Sequence, residues 1–139
     1  MKKFATTLLG IAAASLAAVS AHGQGTIKIG LILPYSGQFA DAAAQEDNAI
    51  KLYMKQHGDT VAGKKIQVIL RDSASVPDNT KRLAQELIVN DHVNVIAGFE
   101  ITPAAMVVAP LATEAKVVEI VMAAGTSVIT EKSPYIVRT

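Results

Sequence analysis

The 139-residue sequence contains no cysteine. That absence excludes a disulfide framework, a thiolate nucleophile, a cysteine-based metal site and lipid attachment through a cysteine at a cleavage site. Charge is sparse and balanced: charged residues are 18% of the chain and the net charge is +1, too little bias to suggest a nucleic acid partner. Histidine occurs only at His22, His57 and His92, scattered without the spacing of a ligand set, so each reads as a surface residue and no metal is expected. The sequence also lacks a G-x-x-x-x-G-K-[ST] phosphate loop, a G-x-G-x-x-G turn after its first strand and a G-x-S-x-G elbow, and no cofactor is expected.

What the sequence does have is apolar residues, 50% of the chain, unevenly spread. Met1-Lys2-Lys3 is a short basic start, Phe4 to Val19 is an almost unbroken apolar run, and Val19-Ser20-Ala21 offers small residues where a signal peptidase reads. This pattern is that of a secretory signal peptide over residues 1–21, with cleavage after Ala21 or as late as Gly23. A retained membrane helix is the competing reading, disfavoured because the run is short and ends in small residues. The expected mature chain, 22–139, is one exported domain without a lipid anchor.

From Thr26 onward, strands alternate with helices. Ile27 to Leu33 is a strand closed by Pro34-Tyr35-Ser36-Gly37, and Ala42 to Gln56 is a helix with Ala49, Leu52, Tyr53 and Gln56 along one face. Ile66 to Leu70 follows as a strand with polar residues on one side, placed at a sheet edge. A loop from Asp72 to Thr80 opens a helix ending near Asn90, with Leu83, Ala84, Leu87 and Ile88 inward. Val95 to Gly98 is a buried strand. It leads to Thr102 as N-cap and Pro103 as first residue of an apolar helix reaching Ala115, in which Pro110 predicts a kink or an early break. Val117 to Met122 and Tyr135 to Val137 complete the strands.

This spacing predicts an α/β fold of right-handed βαβ units, with a parallel sheet in the order 2-1-3-4-5 and helices on both faces. In such sheets ligands bind beyond the carboxyl ends of the strands, where the strand order reverses. Three small, polar turns gather there: Pro34 to Gly37, Phe99 to Pro103 and Ala123 to Ser127. They carry hydroxyls at Ser36, Thr102, Thr126 and Ser127, and a helix start suited to an anion. Hydroxyls in such turns also serve as plain helix caps, and these residues alone leave the two roles open. Asp41, Glu46 and Asp47 read as acids favouring the start of the first helix, and Glu100, in the loop that would hold an anion, as an acid that either points to solvent or contacts a polar group of the ligand.

Taken in order, Ile27 to Leu33, Pro34-Tyr35-Ser36-Gly37, Lys81 to Ile88, Val95-Ile96-Ala97-Gly98, Thr102 and Pro110 resemble the start of a type I periplasmic solute-binding protein of the branched-chain amino acid (Leu/Ile/Val-binding) family. The resemblance spans the whole mature chain and implies a two-lobed, Rossmann-like receptor of an ABC importer. It further implies a periplasmic monomer that closes on a small carboxylate-bearing solute, delivers it to an inner-membrane permease with its ATPase, and performs no catalysis. In that family the first lobe holds the ligand carboxylate through hydroxyls and backbone amides. The matching positions here are Ile101 and Thr102 in one loop and Ala124, Gly125 and Thr126 in the next, with Tyr35, Ser36 and Ala42 lining the same cleft.

Amino acid binders of the family place an aromatic side chain near Ala42. This sequence has alanine there, and its wording from Pro34 to Asp41 is closer to members that take benzoate derivatives, leaving aliphatic amino acid and aromatic carboxylate both open. The same resemblance implies that residues 22–139 form part of the first lobe, without the hinge and second lobe. A sensory receptor's ligand domain of the same fold is the alternative. A secreted α/β hydrolase is a more distant one, since no histidine falls in the three turns.

Overall fold

The computed structural model describes residues 25–139; the expected signal peptide lies outside them. The described chain runs β1 (Thr26–Leu33), α1 (Ala40–His57), β2 (Thr60–Val61), β3 (Lys64–Asp72), α2 (Pro77–Val89), β4 (Val95–Gly98), α3 (Thr102–Ala115), β5 (Val118–Val121), α4 (Val128–Glu131) and β6 (Ile136–Arg138). The six strands form one sheet in the order β2-β3-β1-β4-β5-β6. All pairings are parallel except the two-residue β2, which runs antiparallel beside Lys64 and Lys65. Without β2 the order is the expected 2-1-3-4-5. β3 is therefore not strictly the edge: β2 covers its first two residues, and the Ile66 amide donates to the Asp59 carbonyl just before β2.

β1 is the hub, with β3 on one side over its whole length and β4 on the other. Its alternate residues divide the core. Ile32 joins Ile96, Val121 and Ile136 on the face covered by α2 and α3, where Leu83, Leu87, Ala105 and Val108 are buried. Leu31 and Leu33 join Ala97 on the face carrying α1 and its Ala43. β-branched and leucine residues in unbroken runs suit strands buried on both sides.

α1 departs from expectation. It starts at Ala40, and the residues expected to face inward, Ala49, Leu52, Tyr53 and Gln56, are all exposed, Leu52 at 55% and Tyr53 at 64%. The inward stripe is Ala43, Asp47, Ile50 and Met54, the same helical period rotated by two residues. Asp47 disguises that stripe in the sequence; it is buried because Lys51, one turn on, reaches it at 2.6 Å. Beyond α1 the same sheet face holds an apolar groove of about 320 Å³ lined by Ile29, Leu31, Ile50, Val68, Ala97, Ile120, Met122 and Thr139.

Smaller corrections follow from local chemistry. α2 begins at Pro77, inside the stretch expected as loop, because proline fits the first helical position. α3 runs through Pro110 to Ala115 without a break. Pro110 lies on the exposed side, and Ala105, Val108, Ala109 and Ala112 are buried against the sheet on both sides of it. The four-residue α4 is too short to leave a periodic signal and was not expected.

Two residues give sharp tests of this packing. Gly98 closes β4 at φ 122°, and a Cβ there would stand 2.0 Å from the Ile32 carbonyl oxygen. Glu119 sits on β5 level with Ile96 and Ile136, fully buried, with no hydrogen-bond partner for either carboxyl oxygen. Burial pushes its carboxyl up to about 8. The folded state thus holds a proton that the unfolded chain has released, so this position favours folding most below the ordinary glutamate range and loses that contribution as pH rises to about 8.

Gly98→Ala should lower the unfolding free energy by about 2–4 kcal/mol in denaturant titrations, combining a strained φ with a backbone clash; a loss within experimental error would contradict the described contact. Glu119→Met should raise stability by about 1–3 kcal/mol at pH 8 and by less at pH 5. Equal gains at both pH values would show that the carboxyl is not held as a buried acid.

Candidate functional site

The carboxyl ends of β1, β3, β4 and β5 open onto four loops, which side-chain and backbone hydrogen bonds tie together. Asp72, the last residue of β3, accepts from the Ser36 amide at 3.2 Å, the Ser36 hydroxyl at 2.7 Å and the Ala74 amide at 2.8 Å. Burial alone would raise its carboxyl, but these bonds, that from the Ser36 hydroxyl foremost, outweigh burial and hold it below the ordinary carboxylate range. The Ser36 hydroxyl is thereby committed as a donor within the protein and retains only its accepting capacity.

β4 supplies the second tie. After Gly98 the chain turns through Phe99, buried and at φ 74°, a conformation that bulky side chains seldom adopt. The Phe99 amide donates to Ile32 of β1 at 3.3 Å, and its carbonyl accepts from the Ala124 amide at 3.0 Å. Ala124, expected in the ligand loop, is therefore a buried tie whose amide is already engaged. Gly125 and Thr126, beside it, are exposed and half-buried. The Gly125 carbonyl accepts from the Arg138 guanidinium at 2.6 Å. That guanidinium, arriving from β6, was not foreseen in the sequence.

α3 begins one residue earlier than expected. Ile101 is the N-cap, in extended conformation, and its carbonyl accepts from the amides of Ala104 and Ala105. No side chain caps this helix start. Thr102 stands in the first turn, half-buried, and its hydroxyl makes no hydrogen bond among the described residues. Capping therefore does not occupy it. A helix start with an uncommitted hydroxyl and an amide at the Thr102 position can hold a carboxylate.

Across from this loop stands α1. Ala42 is half-buried near its start and presents only a methyl group. Glu46 and Asp47 do not serve the helix dipole as expected, since α1 begins at Ala40 and Asp41 is the acid of its first turn. Glu46 instead turns towards Glu100, and each buries a carboxyl oxygen without a donor. Burial first, then the facing Glu100, push Glu46 up to about 7. Glu100 is thus not an exposed loop acid. Beside them the Tyr35 hydroxyl is buried without a partner, pushed up to about 12 by burial and by Asp47, Glu46 and Asp72 around it.

The fold brings most expected site residues to one end of the sheet: Tyr35 and Ser36 after β1, Ala42 on α1, Ile101 and Thr102 at α3, and Ala124, Gly125 and Thr126 after β5. Sequence reading missed Glu46 and Arg138. Glu46 lies beside Asp47, on the flank of the inward stripe, and the acid within that stripe hides the periodicity that could have pointed to it. The described residues include no cluster of side chains able to hold a metal ion.

The profile of the family described as periplasmic binding protein matches residues 26–139. A Leu/Ile/Val-binding protein homolog 6 from Brucella abortus (strain 2308) is 44% identical over 140 residues, covering all of this chain and 35% of that protein. A solute-binding protein of an ABC transporter from Rhodopseudomonas palustris BisB5, solved with 3,4-dihydroxybenzoic acid, is 75% identical with a TM-score of 0.80, covering 81% of this chain and 31% of that one. A second solute-binding protein of an ABC transporter from R. palustris, solved with 4-hydroxybenzoate, is 48% identical with a TM-score of 0.78, covering 81% of this chain and 31% of that one. The chain spans about a third of the length of the relatives it matches. With its sheet order and these relatives in agreement, this chain belongs to the periplasmic binding protein family.

Proposed function

We propose that the protein carrying this chain is the extracytoplasmic substrate-binding component of an ABC importer, and that its ligand is an aromatic carboxylate of the hydroxybenzoate class. The observation that carries this reading is the uncapped start of α3, where Thr102 stands in the first turn at the carboxyl end of the sheet with no side chain capping that turn. A ligand carboxylate accepts from the Thr102 hydroxyl and amide, assisted by the partial positive charge of a 14-residue helix. Ala42 on the opposing wall leaves room for a ring. The two solved relatives reported above, 75% and 48% identical, were crystallised with hydroxylated benzoic acids, which favours this class over leucine-like solutes.

The function is binding and release without turnover. A hydrolase needs a nucleophile and a base within hydrogen-bond reach. The two described histidines, His57 at the end of α1 and His92 before β4, lie at the amino ends of the strands, away from these loops. Release is to an inner-membrane permease with its ATPase, and the apolar run at the amino terminus supports export to the periplasm. A monomer suffices for this function when a second lobe of the same chain closes the cleft.

A thermal-shift and calorimetric screen of the full-length protein should show saturable stabilisation by 4-hydroxybenzoate and 3,4-dihydroxybenzoate and none by leucine, isoleucine or valine. Stabilisation by the aliphatic amino acids alone would overturn the ligand class. Thr102→Ala should weaken binding of 4-hydroxybenzoate by about 1–3 kcal/mol, a factor of roughly five to a hundred and fifty, with the fold intact. Unchanged affinity would assign Thr102 to the helix alone.

A further inference from the structure

The carboxyls of Glu46 and Glu100 meet across the gap between α1 and the β4–α3 loop. Glu46 Oε2 and Glu100 Oε1 are both shielded from water, and neither has a donor. An ionised carboxylate only accepts hydrogen bonds, so two facing carboxylate oxygens cannot satisfy one another. One proton between them makes one carboxyl a donor and removes the repulsion. The Tyr35 phenol, on the β1–α1 loop, is an O–H donor beside Glu46, but Asp47 competes with Glu46 for it, and one O–H cannot satisfy the buried oxygens of both Glu46 and Glu100. Asp47 on α1 and Asp72 at the end of β3 are acids. Lys51 is held by Asp47 at 2.6 Å, Arg71 by Asp91 at 2.8 Å, and Arg138 by the Gly125 carbonyl at 2.6 Å.

This pair adjoins the proposed ligand loop, because Glu100 is two residues before Thr102 and the first turn of α3. We propose that a proton shared by Glu46 and Glu100 is linked to ligand binding, so that a carboxylate ligand binds more tightly when the pair is protonated and is released more readily when it is not. The inference rests on the reading of the Thr102 loop as the anion's seat. With the proton in place the pair carries one negative charge; without it, two. The added charge opposes an anion at the start of α3. By linkage, a bound anion in turn raises the pair's affinity for the proton. The proton is exchanged near neutrality, as the elevated Glu46 carboxyl indicates.

The test is calorimetry of 4-hydroxybenzoate binding to the full-length protein from about pH 5.5 to about pH 8, where the ligand's carboxyl stays ionised, in buffers of differing ionisation enthalpy. Affinity should fall by roughly tenfold across this range, with uptake of part of one proton per ligand near pH 7 and none near pH 5.5. Glu46→Gln, whose amide donates to Glu100 at every pH, should keep the low-pH affinity, lose the slope and take up no proton; Glu100→Gln should do the same from the other side. Binding with a flat profile and no proton uptake in the wild type would overturn the proton linkage while leaving the anion site standing. A slope that survives in a folded Glu46→Gln or Glu100→Gln variant would also overturn it. Absence of binding at any pH by 4-hydroxybenzoate and by every other carboxylate tried would remove the site itself, and the linkage with it.

Discussion

The structure depends on one backbone constraint, the way β4 ends. Gly98 lies against β1 so closely that no side chain fits, and the turn it permits places Phe99 where its amide meets β1 and its carbonyl meets the β5 loop. The Met122 amide adds a bond to the Gly98 carbonyl at 2.8 Å. Three parallel strands are thereby joined at their carboxyl ends, where a parallel sheet otherwise frays into separate loops. The buried Phe99 holds an uncommon backbone conformation at this junction, and conformations of that kind are kept only where the surroundings over-determine them. The start of α3 and its Thr102 stand at the carboxyl end of the sheet because that turn is fixed.

The electrostatics of this end divide into two parts. Around Asp72, amide and hydroxyl donors stabilise a negative charge and fasten the β1–α1 loop to the β3–α2 loop. At Glu46 the nearest carboxyl, that of Glu100, is a second acceptor, and burial suppresses the Glu46 charge instead. The first arrangement is structural. The second places a titratable pair beside a helix start suited to anions, the position at which a change of one charge is felt most by a bound carboxylate. Glu119 shows the same physics without the proximity: it lies level with Ile96 and Ile136 on the α2–α3 face, so its proton bears on stability and not on the loops.

Much of this was legible in the sequence. Strand order follows from apolar runs, turn residues and the handedness of βαβ units, which are local signals with a strict topological consequence. The inward face of α1 was not legible, because a satisfied aspartate, Asp47, sits in the buried stripe while Leu52 and Tyr53 lie outside it. The cap of α3 moved from Thr102 to Ile101: either residue is compatible with Pro103 in the first turn, and it is the Ile101 carbonyl that accepts from the Ala104 and Ala105 amides. The meeting of Glu46 with Glu100 joins positions 54 residues apart through the packing of α1, and nothing in either local sequence announces it. Family resemblance reached the loops but not their bonding, so the engaged amide of Ala124 and the committed hydroxyl of Ser36 emerged only from the structure.

The central claim is that the Thr102 loop seats the carboxylate of an aromatic acid. A crystal structure of the full-length protein with 4-hydroxybenzoate tests it most directly. The account predicts the ligand's carboxylate within hydrogen-bond distance of the Thr102 hydroxyl and amide, with its ring against Ala42. A carboxylate held elsewhere, with Thr102 turned away from the ligand, would contradict it.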